Sequence, residues 1–123
     1  MTQNGINAAK KILVVDDEKT IRELFRRILK GANYQVDYAE NGRQAIEKMH
    51  AEVYDIVFLD IMMPEISGIE VLKSMKDAGR RLPPVIMMTG YAVSENREEA
   101  KALGAAGWLP KPFEIADVLK AIE

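Results

Sequence analysis

Apolar positions along the chain fall into two alternating periods. Ile12-Leu13-Val14-Val15 is a short, β-branched apolar run that stops at Asp16-Asp17, the pattern of a strand buried on both faces. Ile21, Leu24, Phe25, Ile28 and Leu29 follow at helical spacing, and Gly31 supplies a stop. Residues 35–39 alternate polar and apolar, which predicts a half-exposed strand at a sheet edge. Asn41-Gly42 with Gln44 opens a second helix through Ala45, Ile46 and Met49. A third strand, Ile56 to Asp60, is fully apolar until its last residue. Ser67 with Glu70 three residues later forms a capping box for a helix through Ile69, Leu72 and Met75. Pro83-Pro84 breaks the chain before a fourth strand, Val85 to Thr89. Ser94 is positioned to cap a fourth helix, to about Leu103, whose apolar face is thin. Gly104 and Gly107 punctuate the turn before a fifth strand at Trp108-Leu109, and Ile115, Val118, Leu119 and Ile122 line a last helix. Five strand–helix units with short, right-handed connections predict an α/β domain: a five-stranded doubly wound parallel sheet. The half-polar second strand belongs at an edge, which favours the order 2-1-3-4-5.

Composition narrows the class. The 123 residues fit one domain, with residues 11–123 as the folded unit and residues 1–10 as a polar N-terminal extension. Hydrophobic residues make up 48% and charged residues 29%, the balance of a globular chain. With no cysteine there are no disulfides, no thiolate catalysis and no Cys-based metal sites. No apolar run approaches the ~18 residues of a membrane span, and Met1 to Lys10 lacks an apolar signal core, so a cytoplasmic location is the default expectation. A net charge of −2 without a block of Lys and Arg argues against nucleic-acid binding by this domain alone.

The unusual polar residues share one place. In open parallel sheets, ligands bind at the carboxyl ends of the strands, near the point where strand order reverses. Asp16 and Asp17 end the first strand, Asp60 the third and Thr89 the fourth, and Lys111 follows the fifth. Each alone has an ordinary reading: an Asp pair as a helix cap, Thr as a strand former, Lys between prolines as a solvated loop residue. Together they do not. At ~4 Å and an effective dielectric near ~20, each pair of carboxylates repels by up to ~4 kcal/mol, and one Lys cannot balance three acids. Oxygen ligands without His or Cys favour Mg²⁺ (or Mn²⁺) over zinc, and Mg²⁺ keeps positions open for phosphate oxygens.

From about Lys11 to Ile122 the chain resembles a response-regulator receiver domain of two-component signalling, similar to the chemotaxis regulators and flavodoxin-like in fold. The resemblance rests on Val-Val-Asp16-Asp17-Glu18, on Leu59-Asp60-Ile-Met-Met-Pro64 followed by Ser67-Gly68, on Thr89-Gly90 and on Lys111-Pro112-Phe113. It implies that Asp60 is the phospho-acceptor for a sensor histidine kinase or phosphotransfer protein. It implies that Asp17 and Asp60 hold Mg²⁺ with the backbone carbonyl of Met62, that Asp16 acts through a metal-bound water, and that Lys111 and Thr89 each contact a phosphoryl oxygen. The Lys111-Pro112 bond is expected to be cis, and the domain to catalyse only its own phosphorylation and dephosphorylation.

Some positions depart from the family pattern. The aromatic switch position, commonly Tyr or Phe, is Trp108, whose simpler reading is a packed core ring. Met62 and Tyr91 occupy positions that tune hydrolysis of the acyl phosphate, and neither offers a carboxylate or amide, which predicts slow self-dephosphorylation. Met49, Met75, Met87 and Met88 read as core, and His50 as a solvated helix residue. A Mg²⁺-dependent aspartyl-phosphate phosphatase would call for an Asp where Met62 stands. A flavin protein would call for a hydroxyl- and glycine-rich loop where Asp16-Asp17-Glu18 stands. A receiver acting only as a docking module remains a further alternative. The chain ends at Glu123, just after the last helix, so a stand-alone receiver or a segment of a larger regulator is expected. The resemblance implies that partner contacts use the face of the fourth helix, fifth strand and fifth helix, near Glu95, Glu99, Trp108 and Ile115.

Overall fold

In the computed structural model, residues 10–90 and 94–122 are described, residues 94–96 by their backbone. Strands and helices alternate strictly: β1 (Lys10–Val15), α1 (Lys19–Leu29), β2 (Tyr34–Ala39), α2 (Gly42–Ala51), β3 (Ile56–Asp60), α3 (Gly68–Asp77), β4 (Val85–Thr89), α4 (Ser94–Ala102), β5 (Gly107–Pro110) and α5 (Ile115–Ile122). All four strand pairings are parallel, and the sheet order is β2-β1-β3-β4-β5, as the hydrophobic pattern predicts.

Alternation along the strands sorts the core into two layers. Leu13, Val15, Val57, Leu59, Val85 and Met87 face one way, against Met49 of α2, Leu72 and Met75 of α3 and Ala100 of α4. Ile12, Val14, Ile56, Phe58, Ile86 and Met88 face the other, against Phe25 and Ile28 of α1 and Val118 and Ile122 of α5. Phe25 is the centre of the second layer, with its ring 4.9 Å from Phe58 and 5.5 Å from Phe113. Burying one such ring contributes about 2–3 kcal/mol. Edge strand β2 is mostly half-buried, whereas every residue of central β3 is buried.

Local chemistry sets the helix ends. Asn41 accepts from the Gln44 amide at the start of α2, and Ser67 and Glu70 complete the predicted capping box of α3. Gly31, after α1, takes a positive φ of 87° that a side chain would resist. The capping role expected of Ser94 lies outside the described side chains. The four core methionines are buried as expected, and His50 is an exposed residue of α2 whose carbonyl accepts from Arg80. β1 starts at Lys10, ahead of the apolar run, because the Lys10 and Lys11 backbones pair with Tyr34 and Gln35.

Candidate functional site

The carboxyl ends of two neighbouring strands, β1 and β3, bring the acidic residues together. Asp16 directly follows β1, and its amide donates to the Ala39 carbonyl at the end of β2. The Arg22 guanidinium, one turn into α1, donates to the Asp16 carbonyl at 2.8 Å. Asp60 is the last residue of β3, and the next amide, Ile61, donates to the Met88 carbonyl of β4 at 3.1 Å. Thus both acids extend from backbone that the sheet already holds. The Asp16 and Asp60 side chains are almost completely buried, at 0% and 5% exposure, whereas Asp17 is exposed.

Helix α3 adds a second constraint. Gly68 donates to the Ile61 carbonyl at 2.9 Å, and a Cβ on Gly68 would lie 2.3 Å from the Asp60 carbonyl oxygen. Only glycine lets α3 come this close to the strand end. The loop between them turns at Glu65, a non-glycine residue with φ of 68°. The Met62 amide faces the Asp60 carboxylate at 3.4 Å, and the Met62 side chain is exposed.

One carboxylate oxygen from each of Asp16, Asp17 and Asp60 lies within 4.8 Å of the others. The Lys111 ammonium reaches into this group, 2.8 Å from Asp16 and 3.4 Å from each of Asp60 and Glu18. The Lys111 amide donates to the Thr89 carbonyl at 2.6 Å, and the Lys111-Pro112 bond is cis, as expected from the sequence. Burial lowers the Lys111 pKa, but its hydrogen bond to Asp16 and the charges of Asp16, Asp60 and Glu18 outweigh burial and hold it above the ordinary value. Burial, followed by the neighbouring Asp16 charge, pushes Asp60 up to about 7, against the pull of Lys111. A carboxyl held that high marks a site short of positive charge. A cluster of oxygen donors of this spacing, with two members buried, suits a hard divalent cation.

These features match a known family. A family model for the response regulator receiver domain matches residues 12–123. This chain is a member of that family. The receiver domain is 40% identical over 113 residues to transcriptional regulatory protein ResD of Bacillus subtilis, covering 92% of this chain and 46% of that protein. It is 38% identical over 109 residues to response regulator MprA of Mycolicibacterium vanbaalenii, covering 89% of this chain and 47% of that protein. The chain thus spans about half the length of the curated relatives it matches. Among solved structures it resembles chemotaxis protein CheY4 of Vibrio cholerae, with a TM-score of 0.85, 35% identity and coverage of 94% of this chain and 97% of that one. It also resembles a CheY-like receiver domain protein of Methanospirillum hungatei, with a TM-score of 0.83, 33% identity and coverage of 93% and 90%. Receiver domains are modules of two-component signalling and typically bind Mg²⁺ at an acidic pocket, which Asp16, Asp17 and Asp60 form here.

The remaining sequence candidates are spread around this centre. Thr89 ends β4, half-buried, opposite Pro110 in the β4–β5 register. Trp108 of β5 is half-buried against the α2–α4 layer, and the Arg97 guanidinium of α4 lies 5.1 Å from its ring centre. Tyr91 and the Glu95 side chain lie outside the described residues. Sequence reasoning assigned no role to Glu18, Arg22, Gly68 or Arg97. Glu18 and Gly68 stood in the motifs of the resemblance without a role of their own, and nothing in the helical pattern singled out Arg22 or Arg97. No described helix is long and apolar enough to cross a membrane.

Proposed function

We propose that the domain is a cytoplasmic signalling switch that accepts a phosphoryl group on Asp60 from a sensor histidine kinase or phosphotransfer protein, with Mg²⁺ (or Mn²⁺) as cofactor. The observation that carries this reading is the burial of Asp60 at the end of β3, among two more carboxylates and within 3.4 Å of the Lys111 ammonium.

In the transfer, an Asp60 carboxylate oxygen forms the new P–O bond as the P–N bond of a phosphohistidine breaks. The imidazole nitrogen keeps the electron pair of that bond. Asp17, Asp60 and the Met62 carbonyl would hold the cation directly, with Asp16 acting through water. When bound, the cation supplies positive charge that screens the approaching anions and lowers the proportion of protonated Asp60. Lys111 pairs with one phosphoryl oxygen and Thr89 donates its hydroxyl to another, so the work is positioning and electrostatics. The acyl phosphate adds about 1.5–2 negative charges at one point, enough to draw Thr89 inward and bias its loop. Trp108 follows into the space that Thr89 vacates, and the α4-β5-α5 face then changes for a downstream protein or an attached output domain. Met62 and Tyr91, which offer attacking water no carboxylate or amide, give a long-lived acyl phosphate. A Met62→Asn, Tyr91→Glu variant is expected to shorten that lifetime, read by loss of phosphorylated protein with time.

The deciding experiment is intact-protein mass spectrometry after incubation with acetyl phosphate, with and without Mg²⁺. The wild-type domain is expected to gain one phosphoryl group only with the metal, and Asp60→Ala none. An equal gain by Asp60→Ala, or one that ignores the metal, would overturn the assignment.

A further inference from the structure

Glu18 occupies the N-cap of α1, a position where Asp, Asn, Ser or Thr stabilises a helix by accepting from its first amides. Its backbone is extended there (φ −88°, ψ 120°), yet its side chain makes no capping hydrogen bond. Its amide donates to the Asp16 carboxylate at 2.9 Å, which pins the Glu18 backbone to the site. The side chain turns instead toward the β5–α5 loop, where its carboxylate lies 3.4 Å from the Lys111 ammonium. A favourable charge at a helix N-terminus explains an acid at this end of α1. It does not explain why the carboxylate leaves the helix amides for a lysine 93 positions away.

Lys111 has three donors, and three carboxylates surround it: Asp16, Asp60 and Glu18. Two of these belong to the cluster suited to a cation, and Glu18 does not. Every proton that Lys111 gives to Asp16 or Asp60 competes with a cation for the same oxygens. A proton given to Glu18 does not compete. The geometry points to Glu18 as a positioning residue that shares the Lys111 ammonium with Asp16 and Asp60 and so loosens its hold on the oxygens that a divalent cation would use. This inference rests on the reading of the carboxylates as cation ligands.

The test is Mg²⁺ affinity, measured by titration calorimetry without phosphodonor, on the wild type, Glu18→Gln, Lys111→Met and the double variant. Glu18 is 58% exposed, and circular dichroism verifies that each variant is folded. If Glu18 acts through Lys111, Glu18→Gln weakens Mg²⁺ binding by about fivefold in the wild type and by less than about twofold once Lys111 is gone. Glu18→Asp keeps the charge but shortens the side chain by one carbon, and is expected to lose affinity as the Gln variant does. Equal weakening in both backgrounds, with Glu18→Asp behaving as wild type, would reduce Glu18 to one more nearby negative charge and overturn the inference. Failure of the wild type itself to bind Mg²⁺ would overturn the cation reading, and this inference with it.

Discussion

Helices α3 and α4 lie side by side on one face of the sheet, joined by a Lys73–Glu99 ion pair at 3.1 Å, yet they are held in different ways. In α3, Gly68, Ile69, Val71, Leu72 and Met75 are buried, and a full capping box closes its N-terminus. In α4 the nine residues are Ser-Glu-Asn-Arg-Glu-Glu-Ala-Lys-Ala, with alanines as the only apolar side chains. Ala100 is buried, and beyond it the described anchors are exposed polar contacts: Glu99 to Lys73, and Arg97 over Trp108. Exposed ion pairs and cation–π contacts each contribute up to about 1 kcal/mol, against about 1.5–3 kcal/mol for one buried Leu. The helix that meets the Asp60 backbone is fastened by the core. Its neighbour, which meets Trp108, is fastened by contacts that salt and small shifts can undo. The proposed switch would profit from that division, since the site would keep its shape while the α4-β5-α5 face changes.

The comparison breaks most severely at Leu72. Leu72→Ala should cost about 2–5 kcal/mol in chemical denaturation, because a fully buried side chain leaves a cavity between α3 and the sheet. A loss below about 1 kcal/mol would mean that α3 is no better anchored than α4.

A smaller effect comes from the charge beneath α3. The Asp60 carboxyl releases its proton near 3.8 in an unfolded chain and near 7 in the metal-free fold. Between those values the folded state binds more protons than the unfolded state, so stability falls as pH rises through the window. The expected decrease in EDTA is on the order of 2 kcal/mol from pH 5 to pH 8, and Asp60→Asn should flatten the profile. Mg²⁺ should restore stability at the upper end, as a ligand of the folded state alone.

The smallest global effect belongs to α4. Arg97→Ala should lower overall stability by less than about 1 kcal/mol. Amide hydrogen exchange is expected to accelerate in α4 and not in α3, because local opening depends on local anchors. Equal acceleration in both helices would show that they open as one unit.

The same contrast explains what could be read from the sequence. Strand order and both core layers were legible because buried parallel strands are apolar without interruption, and because the alternating β2 segment identifies itself as an edge. The meeting of Asp16, Asp17 and Asp60 followed from that order, since β1 and β3 are neighbours, whereas Lys111 reaches them only by extending its side chain from beyond β5. Short-range features were also readable, such as the Ser67–Glu70 box. The contacts of Glu18, Arg22 and Arg97 were not. Each depends on which way a long, flexible side chain turns across a loop, and no periodicity records that. Gly68 was visible as a residue, but its reason was not, because the close approach to Asp60 exists only after α3 has docked.

The strand order also bears on how such a chain comes to fold while it is being made. β1 takes β2 on one side and β3 on the other; β4 then adds beside β3, and β5 beside β4. From β2 onward each new strand meets an edge that earlier residues have already formed, and no strand must be inserted between two that are already paired. Chains are synthesised from the N-terminus, and parallel pairing is slow because its contacts are distant in sequence. This topology therefore lets the sheet grow outward at the pace of translation, with β5 added last.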